Sequence, residues 1–342
     1  MENILKKTIL YLVIVFISLS VLIPLSYLVT ISFSSQIEVN DYPKKMLPSL
    51  YHNIAIKWDA ENQNYIVMRE NNEGIFKELY ISSKYDKIRD YMKTQLNIDM
   101  TTERIEKDFN VAKDTGEIVE YKYYKSFFNN YIKFFTVFSG AEKALINSIK
   151  AALITILISM SIGGAVGYAL ARTSIKKKEA IRIGSLIVRM FPMVSISVPM
   201  AVLLVRYGLF DSMLGLAIVY SIPNIGLTAA ITRSIFIGVS KEYEEASLVF
   251  GATEAQTFRK ITFPLVLPAF AASSMYAFIT AWNDTAVSLL LTNKNETLAL
   301  LIYKSIGGAS SIHYAASGAI VLILPALVFT FLLKNYITQM WG

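Results

Sequence analysis

The sequence predicts an all-α polytopic membrane protein of six transmembrane helices, with a small α+β module inserted after the first. Three observations lead there. Of 342 residues, 54% are hydrophobic and only 17% charged, against about a quarter charged in an ordinary soluble domain. The apolar residues gather into blocks of about twenty or more, long enough to cross a hydrocarbon layer of about 30 Å. The charge is also unevenly placed: residues 36–143 hold 17 of the 26 acids and 16 of the 33 bases, and the rest of the chain holds 9 acids and 17 bases.

That imbalance gives the net charge of +7 its meaning. The basic excess sits in short segments beside apolar blocks, where it sets membrane orientation. A nucleic-acid surface would gather it on one soluble face, so nucleic acid is excluded as a partner. The chain has no cysteine, which removes thiol catalysis and zinc–thiolate sites and leaves any exported part to be held by packing alone. His52 and His313 have no ligand-like neighbours at short spacing, and no metal centre is expected.

The first span runs from Thr8 to Ser32, behind Lys6 and Lys7. Its apolar stretch exceeds the roughly 7–15 residues of a signal peptide and no small-x-small site closes it, so it reads as an uncleaved helix. Five further spans are expected at 144–171, 181–206, 213–236, 263–292 and 315–334. Pro24, Pro192, Pro199, Pro223 and Pro325 fall inside spans and imply kinks supported by neighbouring helices. With the amino terminus inside, the cytoplasmic segments receive Lys6, Lys7, Arg172, Lys176, Lys177, Lys178, Arg182, Arg233, Lys241, Arg259, Lys260 and Lys334. The short outer loops receive only Arg206, Lys294 and Lys304. Both termini then lie on the cytoplasmic side of the membrane.

Three domains follow: residues 1–35 with span one, an extracytoplasmic module at 36–143, and a core of five spans at 144–342. Within the module, IAIKWD, YIVMRE and IFKELYI read as strands, separated by turn-prone DAENQN and NNEG. Tyr85, Ile88, Tyr91, Met92 and Leu96 then fall at the three-to-four spacing of an amphipathic helix. The aromatic stretch YYKSFFNNYIKFF suits a membrane surface ahead of span two. There is no internal repeat.

The segment between spans four and five reads SKEYEEASLVFGATEAQTFRKITFPLVLP. Ser240 suits a helix cap, with Glu242, Glu244 and Glu245 following at the positive helix end. Gly251 suits the left-handed end of that helix. Thr253 and Gln256 have the spacing of a capping box for a second helix, and Pro264 stands at the start of span five. Ala246, Ser247 and Gly251 keep one surface small enough for another protein to approach closely.

This segment, residues 240–264, resembles the EAA loop of ABC-importer membrane subunits, whose pattern is Glu-Ala-Ala, three residues, Gly, nine residues, then Ile-x-Leu-Pro. Glu245, Ala246, Ser247, Gly251, Ile261 and Pro264 match in register, with Ser247 for the second alanine and Phe263 for leucine. Asn147-Ser148, GYALAR, MFP, YGLFDSMLGLAIVYSIPN and the WND of Trp282–Asp284 resemble the carbohydrate branch, and within it the maltose-type permease subunits. The likeness covers roughly residues 1–35 and 129–338. It departs at the large insertion and at the carboxyl end, which stops at NYITQMWG where relatives continue with a Gly-rich tail between the ATPases.

The resemblance implies the type I ABC importer fold and a non-enzymatic transport subunit forming half of a sugar pathway, with oligosaccharides foremost and glycerol-phosphate or polyols as the alternative. It implies two cytoplasmic ATPase subunits that bind ATP and Mg, a second homologous permease, an extracytoplasmic solute-binding protein, and no cofactor in this chain. The absence of a Gly-rich phosphate loop agrees. Coupling to the ATPases would fall to Glu244, Glu245, Ala246, Ser247, Gly251, Ile261 and Pro264.

For the solute path, Tyr276, Trp282, Asn283, Asp284, Ser195 and Asn224 carry the aromatic, amide and carboxylate chemistry that sugars need. Ser197 belongs with them, while Arg189 reads as an anchor that snorkels inward. Each has a bland counterpart: Asp284 as a hydrogen bond between helices, the small polar residues as packing glue. Two other classes remain open. A secondary transporter would need buried ionisable groups or a repeat, neither of which is visible. A membrane-anchored enzyme or sensor would place its activity in 36–143, where Asp59, Glu61, Asp86 and Asp90 show no nucleophile–base or metal spacing.

Overall fold

A computed structural model describes residues 2–306 and 312–338, and divides into two compact units: residues 1–139 with 305–321, and residues 140–304 with 322–342. Five of its helical runs are long and apolar enough to cross a membrane: Lys6–Phe33, Ala141–Arg172, Met213–Gly238, Glu254–Asn283 and Ile312–Tyr336.

The first unit begins with α1 (Glu2–Phe33), whose apolar side chains are exposed along most of its length. After a 3-10 turn at Glu38–Asn40 come β1 (Tyr51–Asp59), β2 (Asn64–Glu70) and β3 (Phe76–Ser82), then α2 (Tyr85–Gln95), α3 (Thr102–Thr115), β4 (Val119–Tyr124) and α4 (Asn129–Val137). The strands form one antiparallel sheet in the order β3-β2-β1-β4. Alternation along β2 buries Tyr65, Val67 and Arg69 on one face, as period-two side chains require. Ile54, Ile56, Tyr65 and Val67 meet Ile88, Met92 and Leu96 of the α2 segment and Ile105, Phe109 and Ala112 of α3 in one core.

The three expected strands and the 85–96 helix are present. α3 and β4 were not anticipated. α3 is set by Thr101, whose side chain caps Arg104 N–H, and by Gly116 in the left-handed conformation (φ 71°). The aromatic stretch divides: Tyr123 and Tyr124 end β4, while Phe127, Phe128 and Tyr131 pack around Phe33. Asn130 Nδ2 donates to the Ser32 and Ser34 carbonyls at 2.9 and 2.7 Å, which fastens α4 to the end of α1.

The second unit opens with α5 (Ala141–Ile158), a π-helical turn at Ser159–Gly163 and α6 (Gly164–Arg172). There follow α7 (Lys178–Val188), α8 (Met193–Arg206), α9 (Met213–Gly238), α10 (Lys241–Val249), α11 (Glu254–Thr257), a second π turn at Phe258–Thr262, α12 (Phe263–Asn283), α13 (Ala286–Leu291) and α14 (Leu298–Ile306). α15 (Ile312–Thr338) crosses from the first unit into the second. α9 is the axis of this unit, and small residues let its neighbours close on it. A Cβ on Gly163 would lie 2.6 Å from Thr228 Cβ, one on Gly167 2.0 Å from Thr232 Oγ1, and one on Gly226 2.2 Å from the Ser185 carbonyl oxygen.

Two spans differ from expectation. The stretch expected as span three is two helices, α7 and α8, bent by 92°. The break falls at Pro192, which lacks an amide hydrogen and disfavours helix in the residue before it. The stretch expected to run to 292 ends at Asn283, because Asp284 caps α13: its Oδ2 accepts from Val287 N–H at 2.9 Å and Ser288 N–H at 3.2 Å. The final residues of NYITQMWG lie outside the described residues.

Two loops of this unit, between α8 and α9 and between α13 and α14, are tied together. Asp211, in left-handed backbone (φ 57°), accepts from the amides of Asn293, Lys294 and Asn295 at 2.8–3.2 Å, and Asn295 Nδ2 returns a bond to the Asp211 carbonyl. Burial pushes the Asp211 carboxyl up, but these amides outweigh it and hold the group below the usual carboxylate range.

Candidate functional site

The segment between α9 and α12 is held by a chain of local caps. Ser240 Oγ accepts from Glu242 N–H at 3.2 Å and starts α10, which puts Glu242 and Glu244 in its first turn. Gly251 ends it at φ 86°, a conformation that costs a Cβ-bearing residue energy. Thr253 and Gln256 form a reciprocal box, with Gln256 N–H to Thr253 Oγ1 at 3.3 Å and Thr253 N–H to Gln256 Oε1 at 2.9 Å. The second helix of the segment proves continuous with span five, as the unbroken run Glu254–Asn283. The π turn at Phe258–Thr262 lies just ahead of Pro264, which has no amide hydrogen to give, so the helix passes the proline without breaking.

A half-buried polar tie fixes this segment to the spans. Arg172, the last residue of α6, donates from Nε (3.1 Å) and Nη2 (2.9 Å) to Glu244 Oε1, and Nη2 also reaches the Val239 carbonyl at 3.0 Å. Thr262 Oγ1 donates to the same Glu244 oxygen at 3.1 Å. Ser247 Oγ lies 2.5 Å from Thr257 Oγ1, closing α10 on the following turn. The Arg172–Glu244 pair thus joins α6, the end of α9, α10 and the turn that leads into α12.

The opposite side is bare. Val249 and Phe250 are 85% and 90% exposed, and Tyr243, Leu248, Glu245, Ala246 and Gly251 are exposed beside them. Ser247, read from sequence as part of the small free surface, is buried against Thr257 instead, because its hydroxyl finds a partner there. Ile261 is half-buried and Pro264 exposed.

The polar residues of the spans separate into two groups. Trp282 is fully buried, donates from Nε1 to the Leu322 carbonyl at 2.8 Å and stacks on Phe278, which in turn stacks on Phe329. Asp284, besides capping α13, accepts from Tyr220 OH at 2.9 Å. Asn224 is buried with Nδ2 on the Tyr220 carbonyl at 2.8 Å, and Ser197 is buried with its hydroxyl on the Val194 carbonyl. Trp282 and Asp284 are spent on holding helices together, and Asn224 and Ser197 on the preceding turn of their own helices. Tyr276, Asn283 and Ser195 are exposed. Tyr276 and Asn283 lie seven positions apart, on the same face of α12, opposite the buried Ala277, Phe278, Ala281 and Trp282.

Two residues were missed as functional candidates. Arg172 was read as an orientation charge, and nothing local points to Glu244, 72 positions away. Arg189 was read as an anchor, but its guanidinium lies over the Tyr276 ring, 5.7 Å from the centroid. No group of histidines and acids suited to a metal ion exists among the described residues.

A trehalose transport system permease protein, SugB, of Mycobacterium tuberculosis is 33% identical over 201 residues, covering 57% of this chain and 73% of that protein. A trehalose/maltose transport system permease protein, MalG, of Thermococcus litoralis is 25% identical, covering 63% and 80% respectively. The crystal structure of a bacterial ABC transporter that imports the acidic polysaccharide alginate contains a chain of similar fold, at a TM-score of 0.59 and 15% identity over 98% of this chain and 97% of that one. Residues 160–340 match the model of one family, and the chain accordingly belongs to the binding-protein-dependent transport system inner membrane components.

Proposed function

We propose that this chain is one of two permease subunits of an ATP-driven importer for sugars, oligosaccharides foremost, and that residues 240–264 couple it to the ATPases. The capped and tied segment carries the reading. Its inner side is fixed to three helices through the Arg172–Glu244 pair, while its outer side offers Val249 and Phe250 to a partner. A rigid lever with an apolar tip suits transmission of movement between subunits.

Glu245, Ala246 and Gly251 line the exposed side where a partner docks. Glu244 and Ser247 hold the lever in shape from within, and Ile261 and Pro264 lead it into α12. ATP and Mg belong to two cytoplasmic partner subunits, and a solute-binding protein and a second permease complete the assembly. The trehalose and maltose relatives support a sugar as solute. In this reading residues 1–35 carry the first span, 36–143 form an extracytoplasmic module that aligns the binding protein or the second permease, and 144–342 form the permease core. Both termini face the cytoplasm, as the Lys and Arg distribution favours.

Gly251→Val and Glu245→Lys test the coupling. The first strains a left-handed position; the second reverses a contact charge. Both are expected to lower co-purification of the ATPase subunits and solute-stimulated ATP hydrolysis. Unchanged docking and hydrolysis in both variants would defeat the proposal.

A further inference from the structure

α8 has 14 residues and α7 has 11. At 1.5 Å per residue α8 alone spans about 21 Å, short of a hydrocarbon layer of about 30 Å. The 92° bend between the two helices therefore lies within the layer rather than at its edge. Packing supports the same depth: the Ser185 carbonyl, four residues before Arg189, sits against Gly226, halfway along α9. Irregular backbone at such depth is tolerated where it is buried in protein or lines a wet cavity. Here the residues of the bend are not buried: Met190 is 81% exposed and Phe191 57%.

A cation stands at the break. Arg189 is exposed, and among the described residues no carboxylate pairs with it; its guanidinium lies over the Tyr276 ring. Tyr276 lies about 10 Å from the nearer end of α12, so the guanidinium is held over an inner ring rather than reaching for the interface. A cation–π contact covers one face of the guanidinium and leaves its edge N–H groups free to donate in the plane. An unpaired ionisable group inside a span is costly unless it meets water or a ligand.

Resting on the permease reading above, we infer that the bend between α7 and α8 is a solute-facing element of this subunit. Arg189, steadied by Tyr276, donates hydrogen bonds to oxygen atoms of the passing solute, and Asn283 continues the same polar face along α12. The ligand chemistry is an oxygen-rich solute whose hydroxyl or carboxylate oxygens accept from a planar cation. Trp282 and Asp284, although aromatic and acidic, point away from this face and brace it.

The cysteine-free chain makes a direct test possible in the assembled importer in membrane vesicles. Single variants Arg189→Cys and Asn283→Cys are exposed to two water-soluble thiol reagents, anionic sulfonatoethyl and cationic trimethylammonioethyl methanethiosulfonate. Both positions are expected to react, while Val202→Cys, on an apolar face of α8, is not. At Asn283→Cys the anionic reagent is favoured while Arg189 is present. Adding Arg189→Gln is expected to change the anionic-to-cationic rate ratio about tenfold, and Arg189→Lys to restore most of it. Failure of Arg189→Cys and Asn283→Cys to react, with ATPase subunits still co-purifying, would mean that lipid or a neighbouring subunit covers the face, and would overturn the inference. So would a rate ratio indifferent to the charge at 189. The labelling result stands or falls whatever sugar the wild type carries, so it separates this inference from the solute reading. Uptake of radiolabelled maltose against radiolabelled glucuronate, in wild type and Arg189→Gln, then tells hydroxyl from carboxylate recognition.

Discussion

The inserted module and the span bundle both bury large side chains, among them Trp282, Tyr220 and Phe236 in the bundle, but the bundle adds a second means of closing its interior. The module buries large side chains completely: Ile54, Ile56, Val67, Ile88, Met92, Leu96 and Phe109 are all inaccessible. The bundle brings backbones together over Gly163, Gly167 and Gly226 and spends buried hydroxyls on carbonyls of the preceding turn, as at Thr155, Ser221 and Thr232. The solvent explains the difference. In water, removing apolar area is the main driving force. Among lipid tails it gains little, and close packing with internal hydrogen bonding must serve. A small residue therefore carries a packing role in the bundle that Gly116 and Gly140 do not carry in the module.

The comparison can be broken by exchanging the rules. Gly226→Leu, a gain of apolar volume, is expected to have the largest effect, since its Cβ alone would lie 2.2 Å from a backbone oxygen with no flexible side chain to yield. Loss of monodisperse protein after detergent extraction is the readout. A normally extracted, assembled variant would show that α7 can withdraw from α9. Ile56→Ala, a loss of apolar volume in the module, should cost about 2–5 kcal/mol. It would be seen as faster amide exchange through β1 and β2, with the exchange of α9 and the co-purification of ATPase subunits unchanged.

The third effect concerns polar ties in the bundle. Arg172→Ala removes a charged hydrogen-bonding partner from Glu244 and should loosen α10 by about 1.5–3 kcal/mol. Amide exchange at 241–249 should rise, and solute-stimulated hydrolysis should fall more than basal hydrolysis. Arg172→Lys should recover part of both. Equal loss of basal and stimulated hydrolysis would assign Arg172 to docking alone.

The smallest effect is conditional on pH and belongs to the module. His52 is buried, donates from Nε2 to the Leu96 carbonyl at 3.1 Å, and has Glu38 4.0 Å away, with Lys125 and Arg69 facing the same group. Burial pushes its pKa down from 6.5 to about 4, against the attraction of Glu38. Between those values the unfolded chain takes up a proton that the folded module refuses, so stability falls as pH drops from about 6.5 to about 4. His52→Gln should leave neutral-pH stability nearly unchanged and flatten the decline. Unfolding followed by module amide exchange at both pH values checks it, and an unaltered slope would place the titration elsewhere.

What could be read from the sequence divides along the same line. Span positions follow from run length, and the caps at Ser240, Gly251 and Thr253 are decided within four residues, so both were legible. The break at Pro192 was not, because a proline inside a span permits either a kink or a full turn and tertiary packing chooses. α3 was hidden because its core face is only Ile105, Phe109 and Ala112 among charges, though Thr101 and Gly116 marked its ends. The two arginines escaped because each is defined by a distant partner: Glu244 for one, Tyr276 for the other. The polar span residues drew attention by chemistry alone, which cannot tell the exposed Tyr276 from the buried Trp282.

The π-helical turn at Ser159–Gly163 has a consequence for how this chain tolerates change in length. Such a turn holds one residue more than an α-helix of the same rise, so it absorbs an extra residue without changing the phase of the helix on either side. Removing a single residue there would close the turn to ordinary α-helix and leave α6 nearly in its present phase against α5, with Gly167 still at the Thr232 hydroxyl and Arg172 still at Glu244. The same deletion within α6 has no such slack and would turn Arg172 by about 100° away from Glu244. Deletion of one residue in Ser159–Gly163 should therefore be tolerated better than deletion of one residue in α6, with amide exchange at 241–249 as the readout.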